Sequence, residues 1–134
     1  MNEVPKWVSI YISIPFLSGG RTHEGADCYG LIRLVLAEQF DKVLPLLDFY
    51  TDALDQSQTG PVVDRYRPLL AGEETVEPAP GDVAVLRFRG RHSHVGIVVA
   101  PGFILHTDRP TGVVCERIDS PRIRGRVEGF YRVD

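Results

Sequence analysis

The chain has 134 residues, 43% apolar and 25% charged, the balance of a globular protein long enough to bury a core without a disulfide or metal staple. Fifteen Lys and Arg against eighteen Asp and Glu leave a net charge of −3. No basic excess exists to grip a nucleic-acid backbone or an anionic membrane, so neither is an expected partner. At about 150 residues per domain, one domain covering residues 1–134 is expected.

The apolar stretch from Trp7 to Leu17 contains Ser9, Ser13 and Pro15 and is preceded by Glu3, so it does not read as a secretory signal. It is also too short to span a bilayer. The expectation is a chain made in the cytoplasm without membrane insertion. Ser18 to Gly25 forms a glycine-rich loop. Residues 27–40 then predict a helix with Asp27 as N-cap, and Leu31, Ile32, Leu34, Val35 and Leu36 crowd several of its faces, so it should be buried on most sides. Pro45 closes that region. Residues 46–56 and 61–71 read as two short helices with Asp48, Asp52, Asp55 and Asp64 on exposed faces.

Glu77 to Asp82 is a turn cluster, after which the pattern changes to short β-branched runs separated by Gly or Pro. Strands are predicted over 83–88, 94–99, 103–107, 113–118 and 127–133. Tight connections make the sheet antiparallel, and helices followed by strands give an α+β fold in segregated layers. Between the second and third strands, Ala100-Pro101-Gly102 reads as a three-residue hairpin loop that pairs Val99 with Phe103. That register sets Gly96 opposite His106 and puts His94 and His106 on one face as diagonal neighbours. A two-residue loop would separate them onto opposite faces.

Two cysteines, Cys28 and Cys115, are too few for a disulfide framework, and neither belongs to a Cys-x-x-Cys pair. Cys115 lies mid-strand and reads as structural. Cys28 falls in the first turn of the predicted helix, where amides and the helix dipole favour an anion, so its thiol pKa is expected to fall. A nucleophile of this kind needs an imidazole to take its proton and a further polar group to orient that imidazole. Cys28, His94 and His106 fill the three roles, with Asp108 as the fallback orienter. His23 and His92 read as exposed loop histidines. Arg21, just before the cysteine, is the first choice for a substrate contact.

Gly25-Ala26-Asp27-Cys28-Tyr29-Gly30-Leu31 resembles the Asp-Cys-Ser-Gly-Leu signature of the NlpC-type papain-like cell-wall cysteine peptidases. Pro80-Gly81-Asp82-Val83, His94-Val95-Gly96-Ile97 and Leu105-His106 resemble that family's later blocks in order. Pro15-Phe16 with Gly19-Gly20-Arg21, and the closing Gly129-Phe130-Tyr131-Arg132-Val133, look like the branch carried by bacteriophage tails. The resemblance implies a papain-like α+β fold with N-terminal helices packed on a roughly five-stranded antiparallel sheet. It implies hydrolysis of peptidoglycan stem peptides with Cys28 as nucleophile, His94 as general base and His106 as orienter, and with no metal or cofactor. A virion location, with tail tip or hub proteins as partners and action in the periplasm or cell wall, follows from the phage branch. Phe16 stands where some relatives carry Tyr, and Tyr29 replaces the small residue after the cysteine, its ring expected to reshape the cleft. With Arg21 and Asp27, these two residues form the expected substrate-binding set.

Two other readings remain open. His92, His94 and His106 would suit a three-histidine zinc centre, although that leaves the Asp-Cys-Tyr-Gly block unexplained. Alternatively, the chain is a non-catalytic structural or assembly component of a phage tail tip that keeps a vestigial peptidase fold.

Overall fold

The structure, a computed structural model, describes residues 4–17, 19–43, 74–88, 91–108 and 110–133. The helices expected over 46–56 and 61–71 lie outside the described residues. The chain opens with a short 3-10 helix, Lys6–Ile10. A two-strand ribbon follows, β1 (Arg21–Thr22) and β2 (Gly25–Ala26), then the helix α1 (Cys28–Gln39). Six further strands form one antiparallel sheet: β3 (Glu74–Thr75), β4 (Val83–Phe88), β5 (Arg91–Ala100), β6 (Phe103–Asp108), β7 (Gly112–Arg117) and β8 (Val127–Tyr131). Their spatial order is β3-β8-β4-β5-β6-β7. The α+β expectation therefore holds, with one strand more than the five read from the sequence. That strand, β3, is two residues long and carries no alternating pattern to announce it.

Helix α1 forms where its cap allows. Asp27 has extended backbone, and its Oδ1 accepts from the Gly30 N–H at 2.7 Å, which satisfies one of the first-turn donors. Its other oxygen, Oδ2, accepts from Gly19 N–H at 2.8 Å and ties the preceding loop to the helix start. The loop is not irregular, as the glycine content implied. It folds into the β1–β2 ribbon, in which Arg21 pairs with Ala26 and Thr22 with Gly25. The ribbon approaches α1 so closely that a methyl group at Gly30 would run into the Gly20 carbonyl oxygen. At the far end, Asp41 takes a positive φ of 55° and turns the chain away.

The sheet is covered on both sides. On one, Leu31, Ile32, Val35 and Leu36 of α1 pack with Val83, Val85, Val95, Ile97, Val99, Leu105 and Val113. On the other, Ala84, Leu86, Val98, Ile104 and Ile123 form a smaller cluster. Along β5, Val95, Ile97 and Val99 join the α1 side and Val98 the other, the period-two signature of a strand buried on both faces. The turn before β4 is fixed by Asp82, 2% exposed, which accepts from Ala79 N–H and from Nε and Nη2 of Arg132 beyond β8.

The β5–β6 connection differs from the expected one and reaches the same result. Ala100 pairs with Phe103, so the loop is the two residues Pro101-Gly102, with Gly102 at φ 84°. Val99 is then an extra residue, a bulge, and pairing resumes as Val98↔Ile104 and Ile97↔Leu105. The bulge cancels the parity change of the shorter loop, so the residue sum returns to the value expected for a three-residue loop.

Two outcomes follow. Gly30→Ala should destabilise the fold by about 1–3 kcal/mol or more, because backbone and not a flexible side chain is in the way; denaturant unfolding measures it. Burial pushes the phenols of Tyr11 and Tyr29 from 10.0 up to about 12. The stability this lends is present below the unfolded value and is lost as pH rises through about 12, so the melting temperature should fall over that window. Tyr29→Phe should make the fall shallower.

Candidate active site

Cys28 is the first residue of α1 and is 6% exposed. Its sulfur takes backbone hydrogen bonds from Val95, Tyr29 and its own amide. The Val95 contact has a structural cause. Along β5, alternate N–H groups point to β6, and after the Ile97↔Leu105 rung the next would join Val95 to Thr107. The ladder stops before that rung, and the Val95 hydrogen bond goes to sulfur. The nucleophile candidate is thus seated where β5 and β6 part, against the residue that follows His94. Thr107, across the missing rung, is fully buried with its hydroxyl unpartnered.

The two histidines meet. His94 Nε2 lies 3.0 Å from His106 Nδ1, with the rings edge to face at 86°. They are 6% and 1% exposed. Gly96 makes the approach possible, since a Cβ there would fall 2.9 Å from the Leu105 carbonyl oxygen and 3.3 Å from His106 Cβ. His106 does not end the row, as the three-residue assignment had it. Its Nε2 lies 2.7 Å from Glu116 Oε1 on β7, and Arg122 Nε donates to the same oxygen at 3.1 Å. Glu116 was missed because β7 was read only as a strand. The register could have found it: His106 pairs with Val114, so Glu116 is the diagonal neighbour of His106 on the same face.

The thiol does not shift as a helix N-terminus alone predicts. Burial pushes the Cys28 thiol from 9.0 up to about 12, the Asp27 carboxylate adds to the rise, and the three backbone hydrogen bonds oppose it without winning. Desolvation of a charge outweighs a few oriented amides when the sulfur is closed off from water.

The expected substrate contacts are placed differently from one another. Asp27 is fully buried with both oxygens on backbone N–H groups, so its work is capping and loop fastening. Tyr29 is 2% exposed and packs in the core, so its ring does not stand in an open cleft. Phe16 is half-buried against the same core and bridges to Ala26. Arg21 is half-buried on β1, near enough to the Tyr29 phenol to favour its ionised form. His23 is exposed but not idle: Nε2 lies 2.8 Å from Glu38 Oε1, and its ring stacks on Tyr11. The side chains of His92 and Asp108 lie outside the described ones, and His92 is on β5 and not in a loop. Cys115 is half-buried on β7 and borders a cavity of about 680 Å³ with Val4, Val8, Ile12 and Phe103.

A helix carrying a cysteine on its first turn, laid on an antiparallel sheet that carries paired histidines, is the α+β papain-like arrangement. Residues 13–132 match the NlpC/P60 family, and the chain belongs to it. It is 26% identical over 133 residues to the murein DD-endopeptidase MepS/murein LD-carboxypeptidase of Escherichia coli strain K12, covering 99% of this chain and 61% of that protein. The chain thus spans about three fifths of the curated relatives it matches. Among solved structures it resembles the NlpC/p60 domain of the peptidoglycan hydrolase SagA, with TM-score 0.58, 20% identity, and 92% and 93% of the two chains covered. It also resembles NlpC2 of Trichomonas vaginalis, with TM-score 0.67, 15% identity, and 95% and 44% covered.

Because thiolate is the form that alkylates, the rate of Cys28 modification by iodoacetamide in a Cys115→Ser background should climb steadily into the alkaline range. A plateau already reached by about pH 8 would show an anion formed in advance and contradict the upward shift.

Proposed function

We propose that the protein is a cysteine endopeptidase acting on the stem peptides of peptidoglycan. The observation that carries this reading is the seat of Cys28: its sulfur is held by the backbone of Val95, directly after His94, whose ring is hydrogen-bonded to His106. Family membership supports it, as do the murein endopeptidase MepS and the peptidoglycan hydrolase SagA among its relatives.

The mechanism follows from the thiol's protonation. Burial and the Asp27 carboxylate push the thiol up, which favours attack by a thiol that is deprotonated in the step itself over attack by a resting thiolate. His94 takes the proton as sulfur attacks the scissile carbonyl, in the manner of a general base. The oxyanion is held by the Cys28 and Tyr29 N–H groups at the start of α1, which bond the sulfur at rest and have the helix dipole behind them. The tetrahedral intermediate collapses, His94 gives its proton to the leaving amine, and an acyl thioester remains. Water, activated by His94, then releases the acid and regenerates the thiol. Nucleophile, base and donors complete the reaction, so no cofactor is called for. Arg21 is the proposed contact for a substrate carboxylate.

The finer assignment is delivery by a bacteriophage tail, with tail tip or hub proteins as partners and action at the host wall. The sequence likeness at Pro15-Phe16, Gly19-Gly20-Arg21 and Gly129–Val133 supports it. Among the described residues no helix is long and apolar enough to cross a membrane. The second reading, a non-catalytic tail component, draws on the raised thiol pKa.

Digestion of purified peptidoglycan, followed by chromatography of the released peptides, separates the two. Cys28→Ala and His94→Ala should each lower cleavage by at least about a thousandfold with the fold intact. Cleavage unchanged in Cys28→Ala would remove the cysteine from the reaction, and no cleavage by the unaltered protein would favour the non-catalytic reading.

A further inference from the structure

We infer that Glu116 is a positioning residue that sets the proton arrangement of both histidines and thereby leaves Nδ1 of His94 as the basic nitrogen for the Cys28 proton; this rests on the proposed cysteine chemistry. A neutral imidazole carries one N–H and one bare nitrogen, and the partner of one nitrogen decides the other. A carboxylate only accepts. With Glu116 Oε1 at 2.7 Å, His106 must place its proton on Nε2. His106 Nδ1 is then bare, and the contact at 3.0 Å requires His94 to donate from Nε2. His94 is left with a bare Nδ1 as its only basic nitrogen, and that is the atom that receives the Cys28 proton. The opposite arrangement sets a nitrogen lone pair against a carboxylate oxygen at 2.7 Å and leaves His94 protonated on Nδ1, unable to take a proton there.

The groups facing this row come from three elements: His94 on β5, Glu116 on β7, and Arg122 in the turn after β7. Arg122 Nε donates to the oxygen that also receives His106, which holds that carboxylate oxygen in place from the solvent side. The proton count closes. When His94 Nδ1 takes the thiol proton, the ring becomes an imidazolium, its Nε2–H stays on the His106 lone pair, and no second proton has to move. The negative charge of Glu116, one ring away, then stabilises the cation at the moment it forms.

The test reads tautomers directly, by long-range proton–nitrogen NMR of the full chain labelled in histidine, without substrate. The unaltered protein should show His94 and His106 each protonated on Nε2. Glu116→Leu, which removes the acceptor, should mix the His106 tautomers and lower kcat for peptidoglycan fragments by about tenfold or more with KM unchanged. Glu116→Gln, which keeps an oxygen able to accept, should restore the tautomers and most of kcat. A proton on His106 Nδ1 in the unaltered protein would overturn the inference, and so would Glu116→Leu with unaltered tautomers; the first reading stands even where the Leu variant does not fold. Because the NMR needs no turnover, failure of the peptidase reading, seen as Cys28-independent cleavage, is distinguishable from failure here.

Discussion

The buried carboxylate of Asp27 is the constraint on which the site depends. One oxygen caps α1 and the other holds Gly19, so a single side chain fixes both where the helix begins and where the preceding ribbon lies. Cys28 is placed on the first turn by that cap, and Gly30 must lack a side chain for the ribbon to come close enough. The arrangement carries a cost. The same carboxylate stands beside the sulfur and, with burial, holds the thiol protonated. In the chemistry proposed above, a thiol seated in this way leaves the work of deprotonation to the histidines.

The sheet answers that demand through irregularity more than through regular pairing. The bulge at Val99 returns His94 and His106 to one face after a two-residue turn had divided them. The early end of the β5–β6 ladder turns the Val95 N–H to sulfur. Both are departures from an ideal hairpin, and both lie within a few residues of the candidate chemistry, where bulges and broken rungs re-aim groups that ideal pairing would bury in hydrogen bonds.

Beyond the histidines the polar row runs outward, from buried His106 through the partly exposed Glu116 to the half-exposed Arg122. Exposure rises step by step along it. A charged terminus at the surface is less costly than one inside, and it can still act on the interior through an imidazole that is itself nearly sealed. The core between α1 and the sheet is aliphatic and aromatic, which keeps water from the sulfur and explains the direction of its shift.

Local sequence was enough for the helix, its Asp27 cap and five of the six strands, because capping and period act over a few positions; His94 and His106 were expected on one face, but through a three-residue loop where the structure has a two-residue turn and a bulge at Val99. It also marked Cys28 as the candidate nucleophile, on the first turn of that helix. Local sequence did not show β3, whose two residues exist as a strand only because β8 is there to bond them. It did not show the β1–β2 ribbon, which reads as loop until α1 packs on it. It placed Tyr29 in a cleft, whereas packing drew the ring into the core. Glu116 and the rise of the Cys28 pKa were decided by tertiary structure alone: one depends on which face of a third strand lies beside His106, the other on how much water the assembled core leaves at the sulfur. Neither register across strands nor desolvation is a property of neighbouring residues in the chain, and both come into being only when the layers close.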